Sequence, residues 1–384
     1  MRFEFATATR IIFGAGTLSE VGPIAARMGH RALVITTHNA GRAAPLFTQL
    51  GGAKVEYVTF AIEHEPTTGM VVKGTQRARE HDCDLVIGFG GGSVIDTGKA
   101  IAALLTNPGD VLDYLEVIGR GQSLTRPAAP YIAIPTTAGT GSEVTRNAVL
   151  ASPEHHVKVS MRSALMLPSL ALIDPELTYS LPPDITAYTG LDALTQVIEP
   201  FVCNQPNPLT DAICREGIWR AARSLLRAYQ QGNDVVARED MALVALFGGL
   251  ALANARLGAV HGFAGPLGGM FDAPHGAVCA ALLPHVMAVN VEVLRARQPD
   301  SATLRRYEEI AQLLTCDQAA TAADGVAWVQ ALIEAMNVPG LAAYGLRETD
   351  FDELIEKSSR ASSMKGNAVP LTADDMRHIL TRAL

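Results

Sequence analysis

The stretch "DLVIGFGGGSVIDTGKA", residues 84–100, decides the fold. A short apolar run, Leu85 to Phe89, leads into three adjacent glycines, Gly90 to Gly92, and a helical pattern begins at Ser93. An apolar run bounded by glycines reads as a strand buried on both faces, the kind found in parallel sheets. Adjacent glycines let the backbone approach a bulky anion, and Ser93 is placed to cap the helix. The first N–H groups of that helix and its positive end then favour a pyrophosphate. Gly91, Gly92 and Ser93 are therefore candidate cofactor-binding residues. Asp96, in the first turn, either orients those groups or meets a polar atom of the cofactor. The loop is neither GxGxxG nor a Walker loop, because Lys99 lies too far into the helix. A glycine-rich connection without a ligand stays open as the plain alternative.

Outward from this turn the first half alternates. Residues 31–37, 54–60 and 131–137 read as further strands, and 17–28, 67–81 and 93–106 as helices. Thr17 and Glu20 have capping-box spacing. Strands alternating with helices predict a parallel sheet wrapped by helices. After Pro182-Pro183 the strand signal fades. Helices are expected over 185–203, 208–231, 235–260, 277–296, 302–315, 321–336, 349–361 and 372–383. The predicted organisation is an α/β domain over 1–181 and an all-α domain over 182–384, with ligands in the cleft between them.

A second cluster, "PTTAGTGSEVT" (135–145), again follows a strand and supplies Thr136, Thr137, Thr140 and Ser142. It lies next to the glycine turn if the two strands are neighbours. In "TGLDALTQVIEPF" (189–201), Asp192 and Gln196 are four apart and share a helix face. Glu199, further along, is read as off that stripe and given no role. A buried aspartate on an apolar helix is costly unless it is paired or binds a metal. "LGAVHGFAGPLGGMFDAPHG" (257–276) adds His261 and His275 among small and apolar residues. Asp192, His261 and His275 together make an N/N/O set that suits Zn²⁺ or Fe²⁺ better than Mg²⁺ or Ca²⁺. Spacing alone leaves the other reading open: histidines hydrogen-bonded to backbone and an aspartate in a buried ion pair.

The totals exclude several classes. The 384 residues carry a formal charge of −8 without long like-sign runs, which argues against nucleic acid or an anionic membrane as partner. Five scattered cysteines without a CxxC fit a reduced, cytoplasmic setting. No apolar run follows the single arginine of "MRFEFATATR", so no signal peptide is expected. The apolar stretch 241–253 is too short to span a bilayer and reads as a core helix.

"GGGSVIDTGKA", "PTTAGTGSEVT", "DPELTYSLPPDITAYTGLDALTQVIEPF" and "NARLGAVHGFAGPLGGMFDAPHG" resemble the signature blocks of the iron-containing (group III) alcohol dehydrogenases. The resemblance runs nearly end to end. It implies a Rossmann-like N-terminal domain for NAD or NADP and a helical C-terminal domain for a divalent metal, Fe²⁺ or Zn²⁺. The active site would lie in the cleft, in an architecture shared with dehydroquinate synthase. The resemblance assigns Gly91, Gly92, Ser93 and Asp96 to the pyrophosphate loop, and Thr136, Thr137, Thr140 and Ser142 to a second cofactor loop. It places Lys158 at the nicotinamide ribose and Leu177 near the nicotinamide, and it makes Asp192, His261 and His275 metal ligands. It further implies a small alcohol or carbonyl substrate and a homo-oligomer, a dimer.

Departures from the family pattern sharpen the reading. Gln196 is the candidate fourth metal ligand, standing where the family normally has a histidine, and its amide oxygen is the weaker donor. Gly265 stands where a histidine near the substrate is usual, leaving water or ribose hydroxyls to carry the proton. Thr37 follows its strand where many members have an aspartate, which relaxes the preference for NAD over NADP. The closing run reads "NAVP" at Asn367–Pro370 where an NPRP-like run is usual, and the sequence gives it no meaning. The expected function is metal-dependent hydride transfer between NAD(P) and a small alcohol or carbonyl compound. The alternatives are a metal-independent reductase of the maleylacetate reductase type, and a cofactor-binding protein with a decayed site. A lyase of the dehydroquinate synthase kind needs a basic phosphate pocket that the sequence does not assemble. Phe263, Gly265, Met270 and Phe271 are expected to face the substrate.

Overall fold

The apolar run before the glycines forms an interior strand of a six-stranded parallel sheet, buried along its whole length. The computed structural model describes residues 2–63, 65–155, 157–271 and 273–384. They fall into two units, Phe5–Thr137 with Gly141–Thr178, and Tyr179–Leu384 with the segments 2–4 and 138–140.

The sheet unit runs β1 (Ile11–Phe13), α1 (Val21–Met28), β2 (Arg31–Thr37), α2 (Ala44–Gly52), β3 (Glu56–Ile62), α3 (Thr68–Glu80) and β4 (Leu85–Gly90). It continues with α4 (Gly92–Thr106), α5 (Val111–Tyr114), β5 (Tyr131–Pro135), β6 (Asn147–Ser152), β7 (Val157–Arg162) and β8 (Leu170–Ile173). Strand order is β1-β8-β5-β4-β2-β3, and β6 and β7 form a separate antiparallel hairpin. The chain moves from β2 to one side and returns to its other side at β4. The strand order therefore reverses at the carboxyl ends of β2 and β4, where open α/β sheets bind ligands. β4 and β5 are neighbours, as the pairing of the two loops requires.

The hairpin, β1, β8 and α2 were not expected from the sequence. They are short, or, in the hairpin, mix exposed and buried positions without a long apolar run. The expected capping box also fails. Thr17 Oγ1 donates to the Gly14 carbonyl instead, a 3-10 turn occupies Thr17–Glu20, and the α-helix starts at Val21.

The helical unit comprises α6 (Pro183–Val202), α7 (Pro208–Gln230), α8 (Val235–Asn254), α9 (Ala259–Met270), α10 (His275–Arg297), α11 (Ala302–Thr315), α12 (Ala322–Ala335), α13 (Phe351–Arg360) and α14 (Ala373–Ala383). The sequence run 235–260, read as one helix, breaks before Gly258, and α8 and α9 meet at 95°. α10 is long and apolar enough to cross a membrane, but 83% of its most apolar window is buried inside the unit, as in a core helix. All five cysteines are free thiols.

α4 is seated on β4 and β5 by one ring. Tyr131 is buried and its hydroxyl donates to the Ile95 carbonyl at 2.9 Å. A Cβ at Gly98 would lie 2.6 Å from that ring, and one at Gly88 would lie 2.3 Å from its hydroxyl. Gly98→Ala is therefore expected to destabilise the protein by about 1–3 kcal/mol through overpacking. A thermal melt checks this, and Gly51→Ala, where an added Cβ meets nothing within 4 Å, is the control that should hold the wild-type midpoint.

Candidate metal centre and cofactor loops

α4 opens directly from the glycines. Gly91 is its N-cap, Gly92 its first residue, and no side chain caps it. The first N–H groups of a 15-residue helix are thus left at the carboxyl end of β4, free of a side-chain cap and able to meet an anion. Ser93 lies inside the first turn and does not cap the helix, contrary to the sequence expectation. The glycines are closely packed at two points. A Cβ on Gly90 would come within 2.4 Å of Val94, and one on Gly91 within 3.3 Å of Thr137.

Asp96 takes the orienting part of its two possible roles. Its carboxylate accepts from Ser142 Oγ, from the Val149 N–H at 2.9 Å and from Lys99 Nζ at 3.0 Å. Lys99, which the sequence analysis set aside, is fully buried and donates to Ser142 Oγ at 2.7 Å and Thr145 Oγ1 at 2.9 Å. Burial lowers its pKa, and the Asp96 carboxylate opposes that shift. This network ties the second loop to α4. Thr136 N–H donates to the Gly90 carbonyl at 3.0 Å, and buried Thr136 joins the two strand ends. Thr37 is exposed at the end of β2. Lys158 sits on β7 in an ion pair with Glu65. Half-buried Leu177 packs beside the N-terminal helices, and its carbonyl accepts from Arg42 at 3.3 Å. Thr140 belongs to the short segment 138–140 of the helical unit, where Gly139 packs against Thr189.

Within the helical unit, three helices converge on one carboxylate. Asp192 of α6 is 2% exposed. Its Oδ1 lies 3.4 Å from His261 Nε2 on α9 and 3.8 Å from His275 Nε2 at the start of α10, yet it makes no hydrogen bond. One turn after His275, buried Cys279 brings Sγ to 3.6 Å from His275 Nε2. The ligand atoms of Asp192, His261, His275 and Cys279 all lie within 4.8 Å of one another. A buried acceptor without a donor, faced by two imidazoles and a thiol, is a fitting cradle for a divalent cation.

Gln196, the candidate fourth ligand, lies one turn after Asp192 on α6. Its Nε2 donates to Asp192 Oδ2 at 2.9 Å. Because a carboxylate only accepts, that contact fixes the amide orientation. Oε1 is left turned toward Gly248, without a hydrogen bond.

Glu199 is the residue that sequence reasoning missed. Seven residues after Asp192, it returns to the same helix face after two turns. Its Oε2 meets His261 Nδ1 at 2.7 Å, and its Oε1 accepts the Val260 N–H at 2.7 Å. With Nδ1–H engaged, Nε2 of His261 is the nitrogen presented to Asp192. Burial disfavours the charged imidazole, but the Asp192 and Glu199 carboxylates outweigh it and raise the His261 pKa to about 10. Asp192 shows the mirror image: burial pushes its pKa up, and His261, His275 and Gln196 bring it below the ordinary value. Burial, with the negative charge of Asp192 and Glu199, lifts the Cys279 thiol well above its usual range.

The closing "NAVP" run now has a meaning. Asn367 Oδ1 accepts the Ala259 N–H at 3.1 Å, and its Nδ2 donates to Asn290 Oδ1 at 2.7 Å and the Val369 carbonyl at 2.8 Å. α9 has no side-chain N-cap of its own. Asn367 and Glu199 supply one from elsewhere in the chain and thereby fix the turn that carries His261. Of the residues expected to face the substrate, Phe263 is instead fully buried in the helical core, while Met270 and Phe271 are half-buried and Gly265 is exposed.

Comparison with known proteins agrees with this geometry. Residues 8–175 match the family model "Iron-containing alcohol dehydrogenase", and residues 186–384 match "Fe-containing alcohol dehydrogenase family, C-terminal". Alcohol dehydrogenase 4 of Schizosaccharomyces pombe is 34% identical, over 97% of this chain and 87% of its own. A 1,3-propanediol dehydrogenase of Klebsiella pneumoniae is 35% identical over 97% of both chains. A crystal structure of a 1,3-propanediol oxidoreductase superposes with a TM-score of 0.93, at 33% identity and 100% coverage of both chains. The chain belongs to the iron-containing alcohol dehydrogenase family. It is an oxidoreductase of the NAD(P)- and metal-dependent alcohol dehydrogenase type.

Glu199→Gln is expected to weaken divalent-metal binding about 10–100-fold, because it loosens the orientation and lowers the basicity of a ligand imidazole. Metal titration of the apo-protein, with circular dichroism to confirm folding, measures the change.

Proposed function

We propose that this protein interconverts a short, unbranched primary alcohol or diol and its aldehyde, with the metal held by Asp192, His261 and His275. The observation that carries this reading is the buried Asp192 Oδ1, which has no hydrogen bond and faces two imidazole Nε2 atoms. The small-substrate class follows the relatives named for 1,3-propanediol. When bound, the metal supplies Lewis-acid polarisation of the carbonyl, and the nicotinamide supplies or takes the hydride.

The chain's own residues do the positioning. The open N-terminus of α4, with Gly91, Gly92 and Ser93, holds the pyrophosphate. Asp96 and Lys99 fix the loop of Ser142, and Thr136, Thr137 and Thr140 line the second cofactor segment. Lys158 reaches the nicotinamide ribose and Leu177 packs near the ring. Glu199 and Gln196 orient His261 and Asp192. At Gly265 the alcohol proton leaves through water or ribose hydroxyls, because no side chain there can carry it. Thr37, which lacks a carboxylate, leaves room for the 2′-phosphate of NADP, so both cofactors are accepted. The metal and substrate domain is taken as 182–384 and the cofactor domain as 1–181. Five free thiols suit a reducing, cytoplasmic setting, and a homodimer is the expected assembly.

The test is freshly purified protein assayed for reduction of short aldehydes, 3-hydroxypropanal among them, with NADH and with NADPH. Activity should vanish on chelation and return with Fe²⁺ or Zn²⁺. Chelator-resistant turnover would favour the metal-independent reductase, and cofactor binding without turnover on any carbonyl would favour a decayed site.

Gly265 yields a sharper expectation. A Cβ there meets nothing within 4 Å, and the position is helical. Gly265→His should fold with little net change in stability, because the helix-propensity gain over glycine is opposed by the crowding of a Cβ that precedes Pro266 within the helix. It should also lower kcat/KM for branched aldehydes more than for linear ones. Equal losses for both would remove Gly265 from the substrate pocket.

A further inference from the structure

We propose that Cys279 Sγ is a fourth protein ligand of the metal, filling the place that Gln196 does not, and that it biases the site toward zinc. This rests on the reading that Asp192, His261 and His275 hold the metal.

Distances carry the proposal. A tetrahedral zinc ion with N and O ligands at about 2.0–2.1 Å and S at about 2.3 Å holds its ligand atoms about 3.3–3.6 Å apart. The observed separations are 3.4 Å for Asp192 Oδ1 to His261 Nε2, 3.8 Å for Asp192 Oδ1 to His275 Nε2, and 3.6 Å for Cys279 Sγ to His275 Nε2. These three separations are close to the spacing that one small cation imposes, and all four donors, from three helices, lie within 4.8 Å of one another. Cys279 reaches the cluster because it follows His275 by one helical turn on α10.

Gln196 does not compete for the position. Its amide nitrogen is engaged by Asp192 Oδ2, and its oxygen faces Gly248. A thiolate is a softer donor than an amide oxygen or a water, so its presence favours zinc over Fe²⁺. Metal entry forms a metal–sulfur bond, breaks the S–H bond and releases that proton to solvent; no oxidation is involved.

The experiment uses the full-length protein loaded separately with Zn²⁺ and Co²⁺. X-ray absorption of the zinc form should show one sulfur scatterer at about 2.3 Å beside nitrogen and oxygen at about 2.0–2.1 Å. The cobalt form should show a near-ultraviolet thiolate-to-metal charge-transfer band. Both signals should vanish in Cys279→Ser and in Cys279→Ala, which rules out the other four cysteines as their source. Each variant should bind zinc roughly tenfold or more weakly, and its zinc-to-iron occupancy after loading from an equimolar mixture should shift toward iron. Cys279→Ala guards against a fold defect in the serine variant, with thermal melts of both.

Wild-type protein that binds metal through nitrogen and oxygen alone, with unaltered affinity in both variants, overturns the proposal and reduces Cys279 to a hydrogen-bond partner of His275. The Asp192–His261–His275 reading then stands. Failure of the wild type to take up either metal overturns that reading, and the role of Cys279 falls with it.

Discussion

The helical unit is organised around a carboxylate that its own protein leaves incompletely satisfied. Asp192 is buried, accepts one hydrogen bond from Gln196, and turns its other oxygen to two imidazoles that stand at ion-pair distance and not at hydrogen-bond distance. Burying such a group is costly unless a cation or donor completes it. The surrounding structure is arranged to keep that oxygen in place rather than to silence it. Glu199 fixes the tautomer and ring of His261 while bonding the backbone of the same helical turn. Asn367, far along the chain, caps that turn and is itself held by Asn290 of α10. The three helices that carry the donors are thus coupled through polar side chains that also serve as the missing cap of α9.

The sheet unit solves a different problem with the same economy of charge. An anion site must be positive without a mobile cation crowding it. On the proposed reading the open end of α4 provides the field, while buried Lys99 is engaged by Asp96, Ser142 and Thr145. The second loop is rigid because a charge-assisted network holds it. Within it the Ser142 hydroxyl donates to Asp96 and the Thr145 hydroxyl donates to the Ser142 carbonyl.

The parallel sheet, the glycine turn and the helical second half were legible in the sequence because they rest on local signals: apolar runs, glycine placement and helical periodicity. β2 coincides with the expected 31–37, most other expected elements are displaced only at their ends, and the expected helix 235–260 divides into α8 and α9. Among the elements that escaped, β1 and β8 are short and pair across a long stretch of chain, while the β6–β7 hairpin is local but carries little apolar pattern of its own. The metal cluster was half legible. Asp192, His261 and His275 stood out as polar residues in apolar surroundings. Glu199 was overlooked through misplacing it on the helix, although its spacing from Asp192 was sufficient to find it. Asn367 carried no such signal, since a cap supplied from more than a hundred residues away has no local signature.

Cys279 illustrates why chemistry-bearing residues hide in core helices. A cysteine among alanines, valines and leucines on α10 reads as a small hydrophobe. Only the placement of His275 one turn earlier, and of Asp192 on a neighbouring helix, gives its sulfur a second meaning. The same contacts explain the amide at position 196. A donor is what Asp192 Oδ2 needs once Oδ1 is directed at the cluster, and Gln196 Nε2 meets that need at 2.9 Å. An imidazole there would have to choose between donating to Asp192 and presenting a lone pair to a cation. On the proposed reading, the amide removes that conflict and leaves the fourth ligand position to the Cys279 sulfur, whose Sγ stands 3.6 Å from His275 Nε2.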